Sequence, residues 1–193
     1  SEIMRTNQKI VMKQLPVGKP TEDDFEIVQE DLPAIAEGQT LLRTRWLTLD
    51  PYMRSGFMAD VSNIGKTVIG GTVSEVIESK ADGWSVGDLV VGYYGWQTHS
   101  IGTADDIQWN NPGMPNQKWD GSMGDPSTAL GILGMTGYTA YEGLLNVAKV
   151  KAGETVVVSA ASGAVGQVVG QLARIKGARA VGIAGGAEKC SFC

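Results

Sequence analysis

The sequence predicts an α/β protein in two parts, and two observations support this division. Residues 1–125 consist largely of short apolar runs separated by Pro and Gly, which is typical of a β-rich barrel or sandwich. Residues 126–193 have helical spacing, and within them two runs of branched apolar residues enclose a helical segment. That β–α–β order predicts the start of a parallel sheet.

Five runs in the first part are predicted to form strands, because apolar residues partly alternate in each of them. The runs are KIVMKQL, FEIVQEDL, QTLLRTRWLTL, TVIGGTVSEVIES and DLVVGYYGWQTHSIG. Residues 110–125 contain Pro, Gly and Asn with little periodicity, so they are predicted to form a loop.

The second part is predicted to alternate helices and strands. Helical spacing over residues 126–147 is interrupted by the glycines of LGMTG, and an amphipathic piece is predicted at 139–148. Residues 155–160 and 178–184 are predicted to be strands buried on both faces of a parallel sheet. Residues 165–176 between them have the spacing of a helix.

Composition narrows the class of protein. Apolar residues make up 42% of the chain and charged residues 19%, as in ordinary soluble globular proteins. The net charge of −5 and the sequence pI of 4.9 argue against a nucleic-acid partner, since such domains usually carry a basic patch. No apolar run approaches the ~20 residues that span a bilayer, and no signal-peptide core is visible. A cytoplasmic location without a membrane partner is therefore expected.

The chain has few Cys and His residues that could bind a metal ion or form a disulfide. The cysteines are Cys190 and Cys193, and the single histidine is His99. A zinc site built from Cys and His needs three or four ligands, so no metal site is expected. The C-x-x-C spacing leaves a redox pair or half of a metal site open, but its position favours chance. His99 is expected at the surface or at a strand end rather than as a ligand.

The junction between the first strand of the β–α–β unit and its helix is rich in small residues. Ala161, Gly163 and Gly166 occupy the three positions of the G-x-G-x-x-G dinucleotide fingerprint, with Ala replacing the first Gly. Gly163 would let the backbone approach a diphosphate, and Gly166 would let the helix pack closely on the strand. The amides of Ala164 and Val165 at the helix start would then face the phosphates. A tight turn without a ligand is the alternative.

The second strand of the unit indicates which dinucleotide fits. An acidic residue at its tip usually binds the ribose hydroxyls of NAD, but here the strand runs into small residues, 184–187. Lys189 follows them and can neutralise a 2′-phosphate, which favours NADP(H). A lysine that only faces solvent is the alternative reading.

Several motifs together resemble one enzyme superfamily, the zinc-independent medium-chain dehydrogenase/reductases. Within it the chain is similar to the NADPH-dependent double-bond reductases, which comprise prostaglandin/leukotriene reductases, plant alkenal reductases and bacterial curcumin reductases. The segments that carry the resemblance are ASGAVG, KGARAVGIAGGAEKC, LTLDPYMR, GGTVSEV and LGMTGYTAYEGLL.

The resemblance implies a GroES-like β-barrel catalytic domain at 1–125 and the start of a Rossmann dinucleotide-binding domain at 126–193. It implies that the loop from Gly163 to Gly166 binds the diphosphate and that Lys189 binds the 2′-phosphate. Met135 and Thr139 match residues near the nicotinamide. Tyr52 matches a residue that lines the substrate cleft between the domains.

The implied reaction is conjugate reduction, in which NADPH transfers hydride to the β-carbon of an α,β-unsaturated ketone or aldehyde. Zinc-dependent relatives have Gly-His-Glu where this chain has Gly70-Gly71-Thr72, which argues against Lewis-acid alcohol oxidation. A quinone oxidoreductase on the same fold, an inactive truncated product and a C-x-x-C module remain alternatives. Tyr52 is the candidate for substrate contact, with a packed aromatic as its alternative. The other aromatics nearby, Tyr93, Tyr94 and Trp96, could also approach the cleft, but as a cluster they are interpreted as packing.

The resemblance also implies that the second domain is incomplete, because family members continue beyond the second strand. The three residues after Cys190 are too few for a helix. Half of a parallel sheet leaves unpaired edges, so self-association into a homo-oligomer is expected.

Overall fold

The computed structural model describes residues 5–103 and 117–193 and has two compact units, Ser1–Pro126 and Ser127–Cys193. The α/β class predicted from the sequence is confirmed. Assignment of the two parts as a catalytic and a dinucleotide-binding domain stays a prediction at this point.

The described residues of the first unit form seven strands, all in antiparallel pairings. Strands β1 and β2 make one pair, and the other five make a sheet in the order β6-β3-β4-β5-β7. The strands are β1 (Thr6–Met12), β2 (Phe25–Asp31), β3 (Gln39–Leu47), β4 (Thr72–Ser79), β5 (Leu89–Gly92), β6 (His99–Thr103) and β7 (Gln117–Lys118).

Each of the five predicted runs contributes a strand, but the last run divides into β5 and β6. Gly95 explains the division, because it has φ +75° and a Cβ there would lie 2.5 Å from the carbonyl oxygen of Val68. The predicted loop at 110–125 lies partly outside the described residues. Within it, Gln117 and Lys118 pair with β5 instead of forming a loop.

Short helical turns connect the strands of the first unit, and one of them is anchored in its core. The α-helix is α1 (Tyr52–Ser55), and the 3-10 turns are Glu22–Asp24, Phe57–Ala59, Val61–Asn63 and Gly121–Met123. Met53 of α1 is buried with Met12, Met58 and Val68 in one apolar cluster. Burial of this methionine holds α1 in place against β1.

The second unit contains the predicted β–α–β order, and its two strands are parallel. Its elements are a 3-10 turn (Pro126–Leu130, starting one residue before the division), α2 (Met135–Tyr141), a π-helical segment (Glu142–Val147), β8 (Thr155–Ser159), α3 (Ala164–Ile175), β9 (Arg179–Ile183) and α4 (Ala187–Phe192). Residues of α3, the π-helical segment and both strands share one apolar cluster, which is centred on Leu144, Ala173 and Ala178.

The structure corrects the predicted helix at 139–148. Helix α2 already begins at Met135, after Gly134 as an extended N-cap, and the π-helical segment follows it. Gly137 was taken as an interruption, yet it lies inside α2. A Cβ at Gly137 would lie 2.8 Å from Cα of Ile132, so the missing side chain lets the helix approach the preceding backbone.

Two further expectations about the second unit are wrong. Strands β8 and β9 were predicted to be buried on both faces, but Val157 is 63% exposed and Ile183 is 58% exposed. In the described part of this unit, the core cluster covers the face that carries Val156 and Ala180.

No helix was expected after Cys190, but α4 contains this residue because the helix starts upstream, after Gly186 at φ +88°.

Among residues 5–103 and 117–193, no helix is both long and apolar enough to cross a bilayer.

His99 is buried at the start of β6, so the strand-end expectation holds and the surface alternative does not. Its backbone N–H donates to Oδ1 of Asn7 at 3.0 Å, and its Nδ1 lies 3.0 Å from Oγ1 of Thr98. Burial lowers the pKa of the His99 imidazole, and the nearby charge of Arg43 lowers it further.

This lowered pKa predicts a loss of stability in mild acid. The unfolded chain takes up a proton at His99 as the pH falls through about 6.5, whereas the folded chain resists it, so the free energy of unfolding decreases. We expect urea unfolding to show this decrease between about pH 7 and 5 and His99→Gln to remove that part of it. An identical pH dependence in both proteins would contradict the prediction.

Candidate functional site

The small-residue junction of the second unit is a sharp corner between β8 and α3. Ala160 has φ +48°, in the left-handed region that non-glycine residues rarely adopt. The N–H of Gly163 donates to the carbonyl oxygen of Ala160 at 2.9 Å, which closes the turn. Helix α3 then starts at Ala164 with Gly163 as its extended N-cap.

Glycine at position 166 is required by close packing. A Cβ there would lie 2.9 Å from Cα of Ala161 and would collide with the carbonyl oxygen of Ala160. At Gly163 an added Cβ would lie 3.1 Å from the same oxygen, which is a tight but smaller conflict. The structure therefore places the helix start directly against the end of the strand.

The corner fits a diphosphate. The first amides of this twelve-residue helix, those of residues 164–166, have no intrahelical acceptors, and Gly163 has no side chain that could cap them. Their N–H groups and the helix dipole favour an anion at this end. The side-chain amide of Gln167 donates to the carbonyl oxygen of Ser162 at 3.0 Å and fixes the loop.

Ala161 stands where the fingerprint usually has its first glycine, and the structure shows why alanine fits. Its N–H donates to the carbonyl oxygen of Ile183 at 3.0 Å, so it continues the pairing with β9. A Cβ on Gly182 would lie 2.8 Å from the Ala161 methyl group. The methyl group therefore occupies the space that Gly182 leaves open, and this second glycine was the signal that sequence reasoning missed.

Lys189 lies exposed in α4, which follows β9. Because β8 and β9 are parallel, their carboxyl ends meet at one edge of the sheet, where α3 and α4 both start. The thiol of Cys190 donates to the carbonyl oxygen of Ala184 at 3.4 Å, which ties α4 to that edge. The structure thus places Lys189 and the glycine corner at the same edge.

Met135 and Thr139 lie one turn apart on α2, which packs against α3 in the same unit. Both side chains are exposed, and the Thr139 hydroxyl donates to the carbonyl oxygen of Met135 at 2.7 Å. With its proton used in this bond, the Thr139 oxygen is left as an acceptor.

Tyr52 lies in the first unit, where it is the first residue of α1 and is 38% exposed. Its hydroxyl hydrogen-bonds to the hydroxyl of Tyr93, the residue that follows β5. Burial raises the pKa of both phenols, and the charge of Asp50 contributes to each increase. The sequence favours packing for Tyr93 and does not predict this hydrogen bond, since a hydroxyl pair between distant segments leaves no local signal.

The neighbouring aromatic residues, Tyr94 and Trp96, pack against other residues of the first unit. Tyr94 contacts the cluster of Leu42, Val76 and Val90. The indole N–H of Trp96 donates to the carbonyl oxygen of Thr48 at 2.9 Å, and the ring contacts Phe25.

The segment that replaces Gly-His-Glu is used for backbone hydrogen bonds. The N–H of Gly71 donates to Oγ1 of Thr48 at 2.9 Å, and Oγ1 of Thr72 accepts from the N–H of Tyr94 at 3.2 Å. A Cβ at Gly70 would lie 3.2 Å from atoms of Met53, Thr48 and Trp96. Within the described ranges, no three His, Cys, Asp or Glu side chains are grouped so that they could hold a metal ion.

Comparison with known proteins adds to these observations. A family model described as the N-terminal domain of oxidoreductase matches residues 8–109. The NADPH-dependent curcumin reductase of Escherichia coli is 45% identical over 190 residues, which cover 95% of this chain and 52% of that protein. Prostaglandin reductase 1 of Oryctolagus cuniculus is 43% identical over 175 residues, which cover 91% of this chain and 48% of that protein.

Among solved structures, CurA from Vibrio vulnificus in complex with NADPH is 42% identical and has a TM-score of 0.84. The match covers 96% of this chain and 54% of that one. The chain spans about half the length of the curated relatives it matches. The expected fold class, a GroES-like barrel followed by the first β–α–β of a Rossmann fold, is confirmed. The chain therefore belongs to the medium-chain dehydrogenase/reductase superfamily, in the group that includes the curcumin and prostaglandin reductases.

Proposed function

We propose that the protein uses NADPH to reduce the C=C bond of α,β-unsaturated ketones and aldehydes, with hydride transfer to the β-carbon and protonation of the α-carbon by water. The observation that carries the proposal is the glycine corner, where the open amides of α3 lie at the sheet edge from which α4, the helix of Lys189, also starts. The names of the relatives, curcumin reductase and prostaglandin reductase, support a reductase of small molecules.

The residues of the second unit would hold the cofactor. The amides of Ala164, Val165 and Gly166 would hold the diphosphate, and Lys189 would hold the 2′-phosphate. Met135 and Thr139 would lie near the nicotinamide, where the Thr139 oxygen could serve as an acceptor because its own proton is used. NADPH, when bound, supplies the hydride.

Tyr52 of the first unit would bind the substrate. A phenol is protonated at neutral pH, and burial raises the pKa of Tyr52 further from that range, so the hydroxyl can donate to the carbonyl oxygen. A donor at this oxygen stabilises the negative charge that develops there as hydride reaches the β-carbon. The proposed chemistry uses no zinc, since this hydrogen bond polarises the carbonyl group.

The proposal is tested by following NADPH oxidation with 4-phenylbut-3-en-2-one as the enone and 1,4-benzoquinone as the quinone. With NADPH deuterated at C4 of the nicotinamide, we expect deuterium at the β-carbon of the saturated ketone. Oxidation with the quinone alone would favour the quinone oxidoreductase instead. Absence of oxidation with either acceptor would overturn both.

Lys189→Ala is expected to raise the KM for NADPH about tenfold or more, because a charged hydrogen bond contributes about 1.5–3 kcal/mol. The KM for NADH should stay unchanged, since NADH has no 2′-phosphate. Lys176→Ala is the matched control, because this exposed lysine caps the opposite end of α3. Steady-state kinetics with both cofactors measure the effect, and equal losses for NADPH and NADH would contradict the assignment.

A cytoplasmic location and a homo-oligomer stay predictions. Light scattering of the purified protein would give the oligomeric state, and fractionation of the source cells would give the location.

A further inference from the structure

Tyr52 is held on a turn that the first unit fixes from several sides. The N–H of Met53 donates to the carbonyl oxygen of Asp50 at 3.1 Å, and the Met53 side chain is buried in the core. The guanidinium of Arg54 donates to the carbonyl oxygens of Pro16 and Gly18, each at 2.9 Å. The position of the Tyr52 ring therefore follows from an anchored backbone.

Tyr93 reaches Tyr52 from another element whose backbone is also held. Gly92 pairs with Thr72 at the end of β5, and the N–H of Tyr94 donates to the side chain of Thr72. Tyr93 lies between these two attachments, and its hydroxyl hydrogen-bonds to that of Tyr52. Two rigid segments thus bring the phenols together, across 41 positions of sequence.

The hydrogen bond between the two hydroxyls can run in either direction, and the acceptor that Tyr52 finds decides which one donates. Apart from burial, which is the largest cause for both groups, their hydrogen bond lowers the pKa of Tyr52 and raises the pKa of Tyr93. A donor at the Tyr52 oxygen stabilises the Tyr52 phenolate, while the donor itself becomes harder to ionise. When Tyr52 gives its single proton to the carbonyl oxygen of a substrate, its own oxygen can only accept from the other phenol, so Tyr93 is then the donor.

We propose that Tyr93 is a positioning residue for the reduction: its hydroxyl donates to Tyr52 and directs the remaining Tyr52 O–H toward the carbonyl oxygen of the substrate. This inference rests on the proposed function. A phenol has one proton, so a Tyr52 that accepts from Tyr93 uses its own proton for another acceptor. Accepting one hydrogen bond also strengthens the bond that a hydroxyl donates.

The competing explanation is that the Tyr93 hydroxyl only stabilises the fold. The two explanations differ in whether the effect of removing this hydroxyl depends on Tyr52. If Tyr93 acts through Tyr52, its removal has no effect once Tyr52 has become phenylalanine. If Tyr93 only stabilises the fold, the effect of Tyr93→Phe on kcat would multiply with the effect of any other substitution. The test is therefore a double-mutant cycle of Tyr52→Phe and Tyr93→Phe, with Tyr94→Phe as the matched control because this adjacent tyrosine packs in the core.

We expect Tyr52→Phe to lower kcat for 4-phenylbut-3-en-2-one about a hundredfold, as for loss of one oxyanion donor. Tyr93→Phe should lower kcat about tenfold with little change in KM, since it misdirects this donor without removing it. The double variant should match Tyr52→Phe, and Tyr94→Phe should keep the kcat of the unaltered protein. A double variant in which the two losses multiply would overturn the proposal, as would a Tyr93→Phe variant with unchanged kcat.

An infrared measurement separates this inference from the proposed function, because it needs no turnover. The saturated ketone 4-phenylbutan-2-one, labelled with ¹³C at its carbonyl, is bound in the presence of NADP⁺. We expect the C=O stretch to shift to lower frequency in the unaltered protein, less in Tyr93→Phe and not in Tyr52→Phe. If this pattern is seen but the enone is not reduced, the proposed role of the Tyr52–Tyr93 pair is retained and the proposed reductase function is overturned. The same frequency in all variants would overturn the hydroxyl pair even if the enone is reduced.

Discussion

Gly137→Ala is expected to lower the free energy of unfolding of the second unit by about 3 kcal/mol, at the upper end of the range for overpacked sites. The new methyl group would lie 2.8 Å from Cα of Ile132 and closer still to the carbonyl group of that residue. Backbone atoms cannot rotate away as a flexible side chain can, so α2 must move off the preceding turn. That turn is closed by a 3.1 Å hydrogen bond from the N–H of Gly137 to the carbonyl oxygen of Gly131.

Gly143→Ala provides the control for this substitution. Gly143 lies in the π-helical segment that follows α2, and a Cβ there would have no atom within 4 Å. Alanine at a helical glycine without a steric conflict stabilises by about 0.5–1 kcal/mol. Hydrogen exchange at the α2 and α3 amides measures both effects. Comparable exchange rates in the two variants would show that the contact with Ile132 is not limiting.

Gly166→Ala is expected to weaken NADPH binding at least tenfold, which corresponds to about 1.4 kcal/mol or more. Its methyl group would collide with the carbonyl oxygen of Ala160 and push the start of α3 away from the end of β8. The open amides that would donate to the diphosphate belong to that same first turn. We also expect a loss of stability of about 1–3 kcal/mol, as for other overpacked sites.

Gly170→Ala controls for the general effect of alanine in α3. It lies one turn further along the helix, and a Cβ there meets no atom within 4 Å. We expect Gly170→Ala to stabilise by about 0.5–1 kcal/mol and to leave NADPH affinity unchanged. Fluorescence titration with NADPH gives both dissociation constants. Unchanged affinity in Gly166→Ala would remove the corner as the diphosphate site.

Most strands of the first unit and the β–α–β order of the second could be predicted because both depend on local pattern. Alternating apolar residues place one face of a strand in the core, and the five runs that show this pattern all contain strands. Branched residues on both sides of a helical segment likewise predicted the parallel pair β8 and β9. The place of the glycine corner followed from the same order.

Predictions from local sequence pattern were incomplete or wrong where the role of a residue depends on a neighbour that is distant in sequence. Gly137 resembled a helix breaker, but the backbone around Ile132 makes glycine necessary inside α2. His99 lies at a strand end as predicted, but its burial was not predicted, because it depends on contacts such as the one with Asn7, which is distant in sequence and accepts from the His99 N–H. The exposure of Val157 was not predicted, because burial depends on what packs over a strand rather than on the strand itself.

The sequence by itself determined most of the strands and the small-residue corner between β8 and α3, since spacing and small residues act within a few positions of the chain. Only the tertiary structure decided that Tyr52 meets Tyr93 and that Gly182 accommodates the methyl group of Ala161. Both contacts join segments whose separation in sequence carries no periodic signal. Contacts of this kind arise from how sheets and turns pack, so they become visible only once the chain is folded.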